Sequence, residues 1–514
     1  PGSSVREGYR DSVELYGEAF SQAREVLVEA QLRLLKRRKR RAPMPLCIFN
    51  HQGRSRRRMV EFEFMAATSP HLVKGKAIRV TDAKGAEVPV QVLSPQPRFG
   101  GFDWRLRLAM QADLPAMGMA EYRIHLEDGK LYGRAAKGVR RRREGRNLRF
   151  TTPFYSLVLN TRTGCIERLR DARTGADLLA RPGGALQVRD DTPHAWGPPE
   201  RPYGRILGRF TCPSRQDLAA LIGAKGRPTE NAVRVIEEGS LCTRIEVVQT
   251  YGRSVARLRY TLAAEQPDIR IDLLLNWAER CRAVQFAFPT ALTAASYRVE
   301  IPHGALEREV DNDENPCGRW VCLKSEDGKQ ALALVNDGPG GVDVGRGVLR
   351  QTLVRSPEFC TMAADVRRDR MGEFMDLGEH QYRFLLRFGN ADEVASELPA
   401  LADELSMPPT VHVHLPLGAD EAGGMPAGRD MVRIGHKAIE LAALKQSEDG
   451  RALIARLVET QGRRRTTTTF GVSGAGRAKR LTFAPYEIKT LRLERRRPKQ
   501  GWVECDLLER RIEG

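Results

Sequence analysis

Val5, Tyr9, Val13, Tyr16, Phe20, Ala23, Leu27, Ala30 and Leu34 recur at spacings of three and four. Such spacing lays one apolar stripe along a helix, predicted here over residues 4–35. Ser4 and Glu7 form a capping box at its start, each side chain satisfying a backbone N–H the other leaves free. The basic run from Lys36 to Arg41 and then Pro43 end it. A lone helix of this length cannot bury its own stripe. It calls for packing partners, either helices preceding Pro1 or the segments that follow.

From Leu46 the period changes to two. Leu46–Asn50 is a short buried-type strand. Val60-Glu61-Phe62-Glu63-Phe64, Val88–Val92 and Tyr122–Leu126 then alternate. Short alternating runs between Gly and Pro turns indicate a small sandwich over residues 43–130. Residues 131–146, rich in Gly and Arg, read as a basic linker. Over 147–405 strand follows strand: Tyr155–Asn160, Cys242–Val248, Ile269–Leu275 and Val284–Phe288. This predicts one large two-sheet sandwich. A Pro-rich joint at Met407-Pro408-Pro409 opens a last sandwich, 406–494, and 495–514 is an unassigned tail. The fold class is mainly β: several antiparallel β-sandwich domains preceded by a helix from a truncated bundle, residues 1–42. With a first residue that is not Met and a helix already beginning, the chain reads as the back half of something larger.

Composition narrows the function classes. The 514 residues carry a net charge of +19, from 84 Lys and Arg against 65 Asp and Glu. The basic runs Lys36–Arg41 and Arg140–Arg143 lack interleaved aromatics for base stacking. The charge is therefore read as an Arg-rich surface rather than a nucleic-acid interface. No apolar run reaches the roughly 20 residues a bilayer requires, so no membrane partner is expected. Nine scattered cysteines with no C-x-x-C pair suggest reduced thiols and a cytoplasmic setting. His412 and His414 share a strand face, which is read as half-exposed strand rather than metal site. The chain has no nucleophile elbow, P-loop, H-E-x-x-H or dinucleotide fingerprint. Asp376 and Glu379 flank Gly378, and Asp311, Asp313 and Glu314 crowd a loop. Paired carboxylates can hydrolyse glycosides at the right separation, but here they read as surface groups.

An ordered series of phrases carries more. Ala331–Gly338, Leu349–Pro357 and Asp376–Phe384 follow one another. Gly164–Leu169 with Thr174-Gly175, Asn276-Trp277, Ile301–Gly304 and Arg319–Val321 fall around them. Ala443–Lys445 and Pro485–Leu491 come later. The series resembles the C-terminal β region of the glycoside hydrolase family 38 α-mannosidases, over nearly the whole chain. The resemblance implies a galactose-mutarotase-like supersandwich in the middle, and a retaining, zinc-dependent enzyme acting on terminal α-mannosides. It places the nucleophile and three zinc ligands in an N-terminal α/β barrel and the remaining ligand in a His-Asp segment, all upstream of Pro1. No catalytic or metal-binding residue is then expected here, and the chain alone is expected to be inactive. Its expected partners are a mannose-containing oligosaccharide and the catalytic domain. What it could supply is the rim of the substrate cleft, from Arg355, Asp376 and His380. The plainer reading makes Arg355 and Asp376 a structural ion pair and His380 a packed histidine, and is favoured. Two departures stand out: Gly340-Gly341 where the family has Tyr-Gly, and an insert from Phe359 to Phe374. The alternative is a noncatalytic carbohydrate-binding or structural β-sandwich protein.

Overall fold

A computed structural model describes residues 5–35, 43–65, 76–93, 105–129, 138–191, 195, 203–223, 231–359, 373–413 and 425–512. Ser4, His414 and most of the 359–374 insert lie outside them. The chain forms two compact units: Pro1–Arg33, Ala136–Val299 and Glu307–Val394 make the first, and Leu34–Ala135, Glu300–Leu306 and Ala395–Gly514 the second.

The predicted helix is present over Arg6–Leu34. Its stripe lies open: Val13 is 59%, Tyr16 67% and Phe20 75% exposed. Its first turns find neighbours, and Gln31 near its end is buried. The Tyr9 ring meets Phe359 edge-on at 5.9 Å, and Arg6 pairs with Glu373 at 2.5 Å.

The first unit is dominated by antiparallel sheet. Strand Ile269–Trp277 shows how sequence sets the layers. Ile269, Ile271, Leu273, Leu275 and Trp277 are buried, while Arg270 and Asn276 between them face out. A one-residue slip would turn that whole apolar set to solvent, so the register is fixed. The strand pairs with Ser254–Ala263 on one side and Gly378–Asn390 on the other, inside a nine-stranded sheet. A six-stranded sheet packs on it, in the order Ile206–Arg209, Ala185–Asp190, Arg282–Pro289, Val348–Arg355, Gly341–Gly345 and Glu314–Pro316. One core joins the two: Phe286 of the smaller sheet lies 5.3 Å from Phe384 of the larger. Both sheets are open, and the mainly β class holds.

Arg140–Glu144, expected as linker, is a strand. It pairs with Asn147–Thr151 and edges a four-stranded sheet. Four arginines in a row conceal the alternation that would have announced it.

The second unit holds two layered pairs of sheets. In one, Leu46, Ile48, Val80 and Ile124 face Val60, Phe62, Leu106 and Leu108. In the other, Val432, Phe470 and Phe483 meet Leu457, Leu491 and Trp502. Two further boundaries differ from the sequence reading. Thr410–Val413 does not open the last sandwich; it pairs with Met44–Phe49 in the first. The tail is not featureless, since Val503–Cys505 adds to strand Ile488–Glu494 and Trp502 is buried.

Candidate functional site: the polar face of the six-stranded sheet

The six-stranded sheet has one apolar face, turned to the core, and a second that is polar. Cross-strand register assembles the second. Gln187 stands opposite Gln285, Gln285 opposite Thr352, and Thr352 opposite Gly341. In the next row Ala287 faces Arg350, Arg350 faces Asp343, and Asp343 faces Glu314. This face is nonetheless buried: Gln285 is 0%, Asp343 3% and Gln187 5% exposed.

A buried polar layer must be hydrogen-bonded, and much of this one is. Gln285 Nε2 donates to Asp343 Oδ2 at 2.8 Å and to Thr352 Oγ1 at 3.1 Å. Arg350 Nη1 reaches Asp343 Oδ1 at 2.5 Å. Arg355 holds Asp191 in a two-pronged fork, Nε to Oδ2 at 3.0 Å and Nη2 to Oδ1 at 3.1 Å. Among the described residues, four polar atoms of the layer nevertheless find no partner: Gln187 Oε1, Arg189 Nε, Gln285 Oε1 and Arg350 Nε.

Beside this layer lies a cavity of about 820 Å³. Its lining includes Tyr203, Glu314, Thr352, Arg355, Asp376, His380 and Tyr382. The three residues named from sequence therefore share one cavity, but not in the expected pairing. Arg355 does not pair with Asp376; its partner is Asp191, 164 positions away. Asp376 instead accepts a hydrogen bond from Tyr9 of the first helix. It does so from a left-handed backbone, φ 50°, a conformation costly for a residue with a Cβ and held only by its surroundings. His380 Nε2 lies 2.7 Å from the Asp376 carbonyl, and its ring stacks parallel to Tyr382 at 6.1 Å. Tyr382 is pinned through its hydroxyl to the Leu353 carbonyl at 2.9 Å. Trp277 donates its indole N–H to Ser356, which anchors the residue following Arg355.

Glu314 is the residue that sequence reasoning missed. It is not in a surface loop but on strand Glu314–Pro316, inside the cavity wall. Burial raises its pKa, against hydrogen bonds from Thr352 and Tyr203 that lower it. Burial likewise raises Asp343, in spite of Arg350. For Arg355 burial acts to lower the pKa, but the Asp191 carboxylate prevails and the guanidinium is raised. Gly341 explains part of the local sequence: a Cβ there would stand 2.4 Å from Glu314 Oε1. The glycine lets backbone and carboxylate meet.

Among the described residues no three His, Cys, Asp or Glu side chains gather to hold an ion. His412 packs edge-on against Phe49 at 5.7 Å, and burial lowers its pKa. Nor is any described helix long and apolar enough to cross a membrane.

Residues 150–360, which contain most of this site, match the family model of the glycosyl hydrolases family 38 C-terminal domain. Solved structures that share the fold include two from one organism. One is a protein in glycosyl hydrolase family 38 from Enterococcus faecalis, 14% identical, covering 96% of this chain and 63% of its own, with a TM-score of 0.73. The other is an alpha-mannosidase from Enterococcus faecalis V583, also 14% identical, covering 96% of this chain and 61% of its own, with a TM-score of 0.67. The chain thus spans less than two thirds of either. No curated protein matches it.

Proposed function

We propose that this chain, whose residues 150–360 match the glycosyl hydrolase family 38 C-terminal domain, forms the C-terminal β region of a glycoside hydrolase acting on terminal α-mannosides. In this reading the cavity beside the polar sheet face is one wall of the sugar cleft. The observation that carries it is convergence: Glu314, Arg355 and the pair Asp376 and His380, from three separate segments, line a single cavity.

The chemistry suits a sugar. A pyranose offers hydroxyls that donate and accept, and an apolar ring face. Glu314 and Asp376 accept from hydroxyls, and Tyr382 with His380 supplies a flat aromatic surface. Arg355, already forked onto Asp191, works as a fixed wall and orients the ligand without moving. In this proposal these groups hold and orient the sugar, and the bond-breaking groups lie in the catalytic domain. The family's retaining chemistry and its zinc belong, in this proposal, to an α/β barrel outside the chain. Among the described residues no three His, Cys, Asp or Glu side chains gather to hold such an ion. The open stripe of helix Arg6–Leu34, with Val13, Tyr16 and Phe20 exposed, is assigned to that barrel segment.

The test is ligand-observed NMR with methyl α-mannoside and the whole chain. Binding on the order of millimolar is expected for so small a ligand. It should weaken at least about tenfold in Asp376→Ala. Aryl α-mannoside should not be hydrolysed by the chain alone. Mannoside binding that Asp376→Ala and Glu314→Gln both leave unchanged would overturn the assignment, as would turnover.

A further inference from the structure

The four-stranded sheet of the first unit has a solvent face that the sugar cavity does not use. It is built from Arg140–Glu144, Asn147–Thr151, Tyr155–Asn160 and Ile166–Asp171. Its inner face is core: Leu148, Phe150, Leu157, Leu159 and Leu169 are buried. Strand period then turns the intervening positions outward, and register aligns them. Arg142, Arg149, Val158 and Arg168 form one row across the sheet, in which Val158 is buried. Arg140, Thr151, Ser156 and Arg170 form the next. Five arginines thus stand in two adjacent rows of one face.

Local carboxylates neutralise part of this charge. Glu144 holds Arg149 at 2.8 and 3.0 Å, and Asp177 holds Arg168 at 2.8 Å through both oxygens. Arg170 donates to the Gly175 carbonyl at 2.7 Å, which leaves its charge in place. Arg140 and Arg142 are exposed, and among the described residues they make no hydrogen bond or ion pair. The paired arginines are fixed in position and the unpaired ones are free to engage an anion.

We infer that this face is a docking surface for an acidic polysaccharide, a glycan chain bearing carboxylate or sulfate groups. Three features select that partner. The guanidinium fork matches planar and tetrahedral oxyanions with paired hydrogen bonds. Thr151 and Ser156, between the arginines, offer hydroxyls suited to sugar hydroxyls. The face displays no aromatic side chain on which a nucleobase could stack. Being a sheet surface rather than a cleft, it favours an extended, repeating anion over a small one. The inference does not depend on the mannoside reading, since no residue of the face lines the cavity.

The test measures binding of the whole chain to heparin, to polygalacturonate and to single-stranded oligothymidine, at about 50 mM and about 300 mM salt, where screening separates charge-driven binding. Binding to at least one glycan is expected at low salt. It should fall on the order of tenfold in Arg140→Glu/Arg142→Glu. The control is Arg257→Glu/Arg346→Glu, two exposed arginines on other strands and turns. It should change binding by less than about twofold. Circular dichroism melts check that both variants fold. Preference for the sulfated or the carboxylated glycan identifies the acid group, and either supports the surface. Equal losses in the two variants would reduce the effect to diffuse charge and overturn the inference. Tighter binding to oligothymidine than to either glycan would also overturn it. So would no binding at low salt, which would leave the arginines only the task of guarding a sheet edge from pairing.

Discussion

Replacing Arg355 by Met tests whether this residue is a fixed wall. The Asp191 side chain is 0% exposed and that of Arg355 22%. The substitution removes both charge-assisted hydrogen bonds of the fork and leaves a carboxylate buried without its counter-charge. Breaking a buried pair from one side costs about 3–5 kcal/mol. The partial exposure of Arg355 lets water reach the site and places the expected loss near the lower end, about 3 kcal/mol. Urea unfolding followed by fluorescence would read it. The second arm is Asp191→Asn/Arg355→Met, in which neither charge of the pair remains. It should recover at least about half of the loss, because removing both partners avoids the orphaned ion. Arg355→Lys should fall between, since an ammonium keeps the charge but not the fork. A loss below about 1 kcal/mol in Arg355→Met, or a double variant as unstable as the sum of the singles, would refute the reasoning.

Other consequences are simpler. Gly138 lies under the Ser240 backbone carbonyl, and a Cβ there would sit 1.9 Å from its oxygen; Gly138→Ala should cost about 3 kcal/mol by urea unfolding, and a neutral variant would contradict that packing. Leu334 is fully buried, and Leu334→Ala should lose about 3 kcal/mol through the cavity it leaves. Glu314, raised above its ordinary 4.5 by burial, binds more protons folded than unfolded. Its contribution is full below about 4.5 and is lost as pH rises through the raised value; Glu314→Gln should flatten that decline. His51 and His412 are lowered below 6.5, both chiefly by burial, so they bind fewer protons folded. Stability should then fall as pH drops below about 6.5, and His51→Gln/His412→Gln should lessen the slope of midpoint against pH.

Local pattern was legible where one strand carries its own alternation. Tyr155–Asn160 and Ile269–Trp277 are examples, because five or more residues repeat with period two. The helix was legible from its stripe. What escaped depends on pairing between distant segments. Arg140–Glu144 has no apolar alternation of its own and is a strand only because Asn147–Thr151 binds it. Thr410–Val413 reads as the start of a new domain, yet its partner is Met44–Phe49, over 360 positions earlier. The site shows the same limit. Arg355, Asp376 and His380 were found through resemblance, but Asp191 and Tyr9, which hold two of them, lie far off in sequence. Glu314 could have been found only through its register with Asp343, which turns it to the polar face. Three acids in four residues looked like solvated charge, and only one of them lies in the cavity wall.

The central claim is that the cavity beside the polar sheet face receives a sugar. Crystals of the whole chain soaked with methyl α-mannoside test it most directly. The account predicts one mannoside ring in the cavity, its hydroxyls within hydrogen-bond distance of Glu314 or Asp376 and its apolar face toward Tyr382. A mannoside seated elsewhere on the chain, with that cavity holding only water, would contradict it.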